Sequence, residues 1–158
     1  MEVTISDHLG GFRGEVTVTV RNAKTGRFVR RIVVTNTVTD ELRSAVAAWL
    51  SGANINVAAD RPPPDRTALG TGTPSAAGLG VETAGTRKVC AYRQVYASYY
   101  AQYTTQYMAT DPAATFTEAA LFDSAGHVFA FVSLGLVPKS TSETLTLQWK
   151  ILVKGNAA

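Results

Sequence analysis

Apolar and polar residues alternate through most of this chain. Val16, Val18 and Val20 are interleaved with Glu15, Thr17, Thr19 and Arg21, the period-two pattern of a strand with one buried face. "AKTG" then supplies a turn in which Gly26 is free to take positive φ. "RFVRRIVVTNTV" returns as a second strand with Phe28, Arg30, Ile32 and Val34 on one side. Arg30 interrupts that apolar side, so the face is expected to be only partly covered. The period changes in "TDELRSAVAAWLSG", where Leu42, Ala45, Val46, Trp49 and Leu50 recur at helical spacing. Thr39 is placed to cap this helix, Asp40 and Glu41 suit the dipole of its first turn, and Gly52 closes it.

From Ala53 to Arg66 the pattern stops. "ANINVAADRPPPDR" carries three consecutive prolines, which forbid helix and central strand and favour polyproline II. An extended surface connection is expected here. Strand patterns resume beyond it. In "KVCAYRQVYASYYAQYTTQYMATD" the tyrosines Tyr99, Tyr103 and Tyr107 fit one side of a strand as well as a helix face. The abundance of tyrosine, threonine and valine favours strand. "FTEAALFD", "HVFAFVSLGLV" and "ETLTLQWKILV" read as three more strands, with "SAG" and a polar stretch after Pro138 as turns. The expected fold is mainly β: an antiparallel β-sandwich or jelly-roll-like domain with one α-helix. It forms a single domain, 1–158, with an N-terminal arm (1–14), a β-hairpin plus helix (15–52), a Pro-rich connection (53–66) and a β-rich half (67–154).

Composition narrows the function. The 158 residues are enough for one core, and 46% are hydrophobic while 17% are charged. The net charge of +3 is spread thinly, with Arg27, Arg30 and Arg31 as the densest patch. Nucleic-acid binding through counterion release needs more cations on one face, so no nucleic-acid partner is expected. Cys90 is the single cysteine, which excludes an internal disulfide and a multi-cysteine zinc site and fits a small buried side chain. "MEVTISDHLG" lacks the basic start and apolar stretch of a signal peptide, and no run approaches a membrane span. Synthesis in a cytoplasm is expected.

Candidate chemistry is sparse. "ALGTGTPSAAGLG" (68–80) resembles a phosphate cradle, but it lacks the lysine of a P-loop and the helix of a dinucleotide site. A loop with tight turns is the simpler reading. Asp123, Ser124 and His127 are the letters of a triad. They fall within one turn, where the carboxylate cannot orient the imidazole from the side opposite the serine. Glu118 and Asp123 sit near opposite ends of one expected strand, the wrong placement for two carboxylates flanking a sugar. Neither a cofactor site nor a metal-ligand cluster is expected, nor is an enzyme. The six tyrosines between Tyr92 and Tyr107 remain. They suit a protein interface, a core with hydroxyls at its rim, or a platform for sugars.

The ordered set "ALGTGT", "GLGVETAGTRK" and "FTEAALFDSAGHVFAFVSLGLVPKSTSETLTLQWKILV" resembles a pattern of tailed-bacteriophage virion proteins. In that pattern a strand ends in a "GTGT" turn, followed by a short acidic stretch and an arginine. A "TEAGLFD" strand, a glycine turn, an apolar strand, a "P-K" turn and a closing strand with tryptophan follow. The match spans Thr67 to Val153, and the hairpin and helix before it resemble the usual lead-in. Ala120 departs from it, since glycine is usual there. The resemblance implies a non-enzymatic structural protein of the virion, foremost a capsid decoration (auxiliary head) protein cementing the outer head surface. Tail, collar or fibre-base proteins share the pattern, and a carbohydrate-binding module is the alternative of another class. Expected partners are further copies of the chain (a trimer being the candidate symmetry) and the major capsid protein or other virion proteins, with no membrane. Candidate interface residues are Tyr96, Tyr99, Tyr100, Tyr103 and Tyr107, the stiff Arg61, Pro62, Pro63 and Pro64, and the turn glycines Gly70 and Gly72.

Overall fold

The computed structural model describes residues 12–51, 62–96 and 100–153. Along them run β1 (Phe12–Asn22), β2 (Phe28–Val38), α1 (Asp40–Ser51), β3 (Arg66–Gly70) and β4 (Lys88–Val89). Then follow β5 (Tyr92–Tyr96), β6 (Tyr100–Tyr107), β7 (Ala114–Phe122), β8 (Val128–Lys139) and β9 (Glu143–Val153). The strands form one antiparallel sheet in the order β4-β3-β7-β8-β2-β1-β9-β6-β5. The sheet folds into a sandwich, with β2-β1-β9-β6-β5 on one side and β4-β3-β7-β8 on the other. The expected mainly-β class with one helix is the observed one.

Register explains the core. Val16 lies between Val34 and Trp149, and Val18 between Ile32 and Leu147. Period two puts each such row on one face, and these rows face Leu69, Phe116, Leu121, Phe129, Val132 and Val137 of the opposite sheet. The hairpin forms as its sequence predicts. Asn22 Oδ1 accepts hydrogen bonds from the Lys24 and Thr25 N–H groups, both at 3.0 Å, and Gly26 takes φ 67°. Phe12–Gly14, expected in the arm, are already strand, because Phe12 pairs with Val153 and Gly14 with Ile151. The tyrosine stretch is not one strand but the β5–β6 hairpin, with Tyr96 opposite Tyr100.

Two corners join the halves. At the first, β2 meets β8 through only two pairs, Thr37 with Phe131 and Val38 with Ala130. Thr39 continues this corner: its hydroxyl donates to the Val128 carbonyl at 2.6 Å and its N–H to Phe129 O at 3.0 Å. That fixes the start of α1, whose Leu42 and Ala45 enter the core and whose Trp49 meets Phe129 edge-on at 6.3 Å. The helix end expected at Gly52 lies outside the described residues. At the second corner, β4 and β5 belong to opposite ends of the sheet yet are separated only by Cys90 and Ala91.

Beside that second corner the sandwich is sealed by hydroxyls. Thr67 on β3 donates to Thr105 on β6 at 2.8 Å and lies 3.0 Å from the Tyr107 hydroxyl, while Thr105 lies 3.6 Å from Cys90 Sγ. All four residues are buried, so these bonds satisfy groups that would otherwise lose hydration. Burial holds the Tyr107 phenol well above the ordinary tyrosine value of 10.0, against the smaller opposing effect of the Thr67 hydrogen bond. The unfolded chain releases that proton near pH 10 and the folded chain does not. Stability is therefore full below pH 10 and falls as pH rises past it. Tyr107→Phe is expected to cost about 1 kcal/mol at neutral pH. In denaturant titrations it should also lose less stability than the parent between about pH 9 and about pH 11. An equal alkaline loss in both proteins would refute this account of Tyr107.

Candidate docking surface

Along β7 the residues divide between two environments. Phe116, Ala119 and Leu121 enter the main core, whereas Ala120 and Phe122 join Ala68, Val128, Leu79 and Phe131 in a small second core on the other face. Ala120, the departure from the "TEAGLFD" pattern, is fully buried there. The loop from Thr71 to Arg87 covers this face, and Glu118 fastens it. The Glu118 side chain is fully buried. Its Oε1 accepts the N–H groups of Gly72 and Val81, and its Oε2 that of Gly80, each at 2.8 Å. Thr117 Oγ1 donates to Gly72 O at 2.7 Å, and Arg87 lies 3.9 Å above the Phe122 ring while pairing with Glu82.

The glycines permit this approach. A Cβ on Gly70 would stand 2.4 Å from Glu118 Oε1, one on Gly72 2.6 Å from Val81 N, and one on Gly80 2.6 Å from Thr73 O. Backbone N–H groups converging on a carboxylate make an anion nest. The loop does hold an anion, and the anion belongs to its own chain. Gly70 and Gly72, expected as interface residues, are corrected: Gly70 is buried and Gly72 is tied to Glu118.

Among the described tyrosines, Tyr100, Tyr103 and Tyr107 do not share one surface. Tyr107 is buried, so its ring is not available to a partner; Tyr103 packs partly against the core; Tyr100 is half-buried with Lys150 Nζ 5.5 Å from its ring. Tyr96 pairs through its backbone with Tyr100, and Tyr99 lies outside the described residues. Arg61 also lies outside them. Pro62 is half-buried and Pro63 exposed, but Pro64 is buried, because the next residue is pinned: Asp65 N–H donates to Phe122 O and its carbonyl accepts from Cys90 N–H.

The remaining polar clusters serve the fold. Asp123 caps the β7–β8 turn, accepting the His127 backbone N–H at 2.8 Å and facing His127 Nδ1 at 2.7 Å. Ser124 is an exposed turn residue. Lys88 donates to Asp111, and the buried Lys139 donates to the Asp111 and Ser140 carbonyls. Burial would raise the Asp111 carboxyl, but hydrogen bonds from Lys88 and from the Met108 N–H hold it below the ordinary carboxylate value. Burial lowers Lys139. Among the described residues no cluster of three or more metal-ligating side chains occurs, and no helix is long and apolar enough to cross a membrane.

The surface that stands out is the open side of β2. Past Thr37, that side of the strand faces no partner strand among the described residues. Val29 and Val33 are 43% and 50% exposed on one face, and Phe28 is 57% exposed. On the other face Ile32 and Val34 remain only half-buried although their β1 partners Val18 and Val16 are fully buried. Arg30 breaks this face as expected, and the face is only partly covered. Across the opening, Arg30 shares a shallow groove with Ala114, Pro138, Lys139 and Glu143. β8 bulges there: Gly135 takes φ 72° and Leu136 stands 73% exposed.

Sequence reasoning passed over Glu118 as a structural residue, and its signal was a lone carboxylate inside the apolar run "FTEAALF" with a glycine-rich stretch to receive it. Replacing it tests the assignment. Glu118→Gln turns an amide N–H₂ toward backbone N–H donors and should cost about 3 kcal/mol. The amides of Gly72, Gly80 and Val81 should then exchange faster with solvent than in the parent. Unchanged exchange at all three would refute the pin. Compared with known proteins, the chain matches no family model, no curated protein and no solved structure.

Proposed function

We propose that this chain is a non-enzymatic structural protein of a tailed-bacteriophage virion, a decoration protein that cements the outer head surface as a homo-oligomer. The ordered motif set from Thr67 to Val153 supports the virion assignment. The single structural observation behind the docking role is the open side of β2, a strand of eleven residues with apolar side chains left exposed. Such an edge is a template for another strand, and isolated proteins usually blunt it. Charge supports the same reading, since 17% charged residues leave a surface suited to contact with protein more than with nucleic acid.

Function then rests on contact area and register, with no bond made or broken. Mixing the purified protein with undecorated heads and pelleting the particles should give saturable binding at a stoichiometry set by the shell lattice. Retention only on tails or collars, in a few copies per particle, would move the protein within the virion. Binding to neither, together with selective capture on a glycan array, would replace this reading with the carbohydrate-binding one.

A further inference from the structure

The open side of β2 has a sequence complement inside the same chain. Reading outward from Asn36, its half-covered face presents Val34, Ile32 and Arg30. The N-terminal segment reads Glu2-Val3-Thr4-Ile5-Ser6-Asp7, which places Val3, Ile5 and Asp7 on one face of a strand. We infer that this segment of a second copy adds to β2 as an antiparallel strand, with Val3 opposite Val34, Ile5 opposite Ile32 and Asp7 opposite Arg30. The inference rests on the docking role proposed above and names its partner as the chain itself.

Three arguments converge. Burial comes first: Ile32 and Val34 are the core-facing residues that β8 leaves uncovered, and two apolar side chains in register would cover them. Charge comes second. Arg30 is a cation turned toward the sandwich, a device that discourages indiscriminate pairing, and an aspartate opposite turns it into a selective contact. Two β2 edges overlapping at Arg27–Arg31 would instead bring two clusters of three arginines together.

Reach comes third, and it requires a second copy. Gly14 pairs with Asn36, so Phe12, two residues earlier in β1, stands level with Val38. From there to the level of Arg30 is eight residues of β2, roughly 26 Å at the rise of a strand. Asp7 lies only five residue steps before Phe12 of the same chain, and these span at most about 18 Å. No chain can lay this segment on its own β2 in the complementary register.

The corresponding side of β3 contrasts with this opening. The free side of β3 is already capped, by β4 at Arg66 and Thr67 and by the loop at Leu69, whose N–H and C=O bond Thr86 Oγ1 and Thr83 N–H.

Cross-linking tests the exchange in the full-length protein. One preparation carries Thr4→Cys and another, distinguishable by size, carries Val33→Cys; these residues lie opposite each other on the outer face in the inferred register. Cys90 is buried and does not compete. Mild oxidation of the mixture should give mainly the mixed dimer, and Val29→Cys in place of Val33→Cys should reduce it at least tenfold. Asp7→Arg should weaken association at least tenfold, and Asp7→Arg combined with Arg30→Asp should restore it. No mixed dimer, a cross-link that stays within single chains when Thr4→Cys and Val33→Cys are combined in one chain, or no restoration by the charge swap would each overturn the inference. Head binding by the same preparations separates the two claims. Heads bound without a mixed dimer remove the exchange alone, and a mixed dimer without binding to any virion part removes the virion role alone.

Discussion

The carboxylate of Glu118 and the three backbone N–H groups around it set the arrangement of one side of the sandwich. A central strand normally has two apolar faces or one apolar face and one wet one. β7 has two buried faces, but the cover on its outer side is a loop, and a loop brings unpaired backbone donors with it. Three of those donors are gathered on one side chain. The glycines follow from that choice, because a Cβ at Gly70 or Gly72 would displace either the carboxylate or the returning strand of the loop. The second core follows too: Leu79 reaches Ala68, Ala120 and Phe122 only while the loop is drawn down. Arg87 finishes the cover by lying over Phe122.

The opposite seam uses weaker bonds for the same end. Lys88–Tyr96 carries the chain from one end of the sheet to the other, so its two edges are linked covalently through Cys90 and Ala91. Thr67, Thr105 and Tyr107 then join β3 to β6 across the interior. A hydroxyl pair is small enough for two sheets to approach closely and still satisfies both groups. The tyrosine run, which in sequence suggested a surface, is partly a consequence of this seam. Tyr107 supplies an aromatic body to the core and a hydroxyl to Thr67, the division of labour that suits tyrosine to such a position.

Much of the fold was legible because local patterns and tertiary contacts agreed. The Val16–Val20 alternation, the helical stripe from Leu42 to Trp49 and the Leu145–Ile151 alternation each faced the core as their periods required, whereas Leu50, expected on the same stripe, stands exposed at the helix end. β3 was not legible. "RTALG" is five residues ending in glycine, and what makes it a strand is pairing with β7, some fifty residues away. The β5–β6 hairpin was hidden for a related reason, since "YASYY" carries neither glycine nor proline to mark a reversal. Of the candidate site residues, Pro64, Gly70 and Tyr107 proved interior, because stiffness, small size and aromaticity suit close packing as well as docking. The open side of β2 had one sequence signal, the Arg30 that interrupts an otherwise apolar face.

Protection is unequal around the sheet, and that inequality carries the functional argument. At β3 the chain devotes a seventeen-residue loop (71–87) to covering a face and an edge, and fastens it with a buried carboxylate. At β2 the described residues offer no such cover, and β8 turns outward through the Gly135 bulge where it could have continued the pairing. Extending the β2–β8 ladder by a few residues would have buried Ile32 and Val34 within the chain. Arg30 lies two residues beyond Ile32, and an extension that reached it would carry this cation toward the covered interior, which burial disfavours. The corner thus presents a cation at one end and two half-buried aliphatic side chains beside it, a pattern in which charge and apolar contact both bear on any strand laid there.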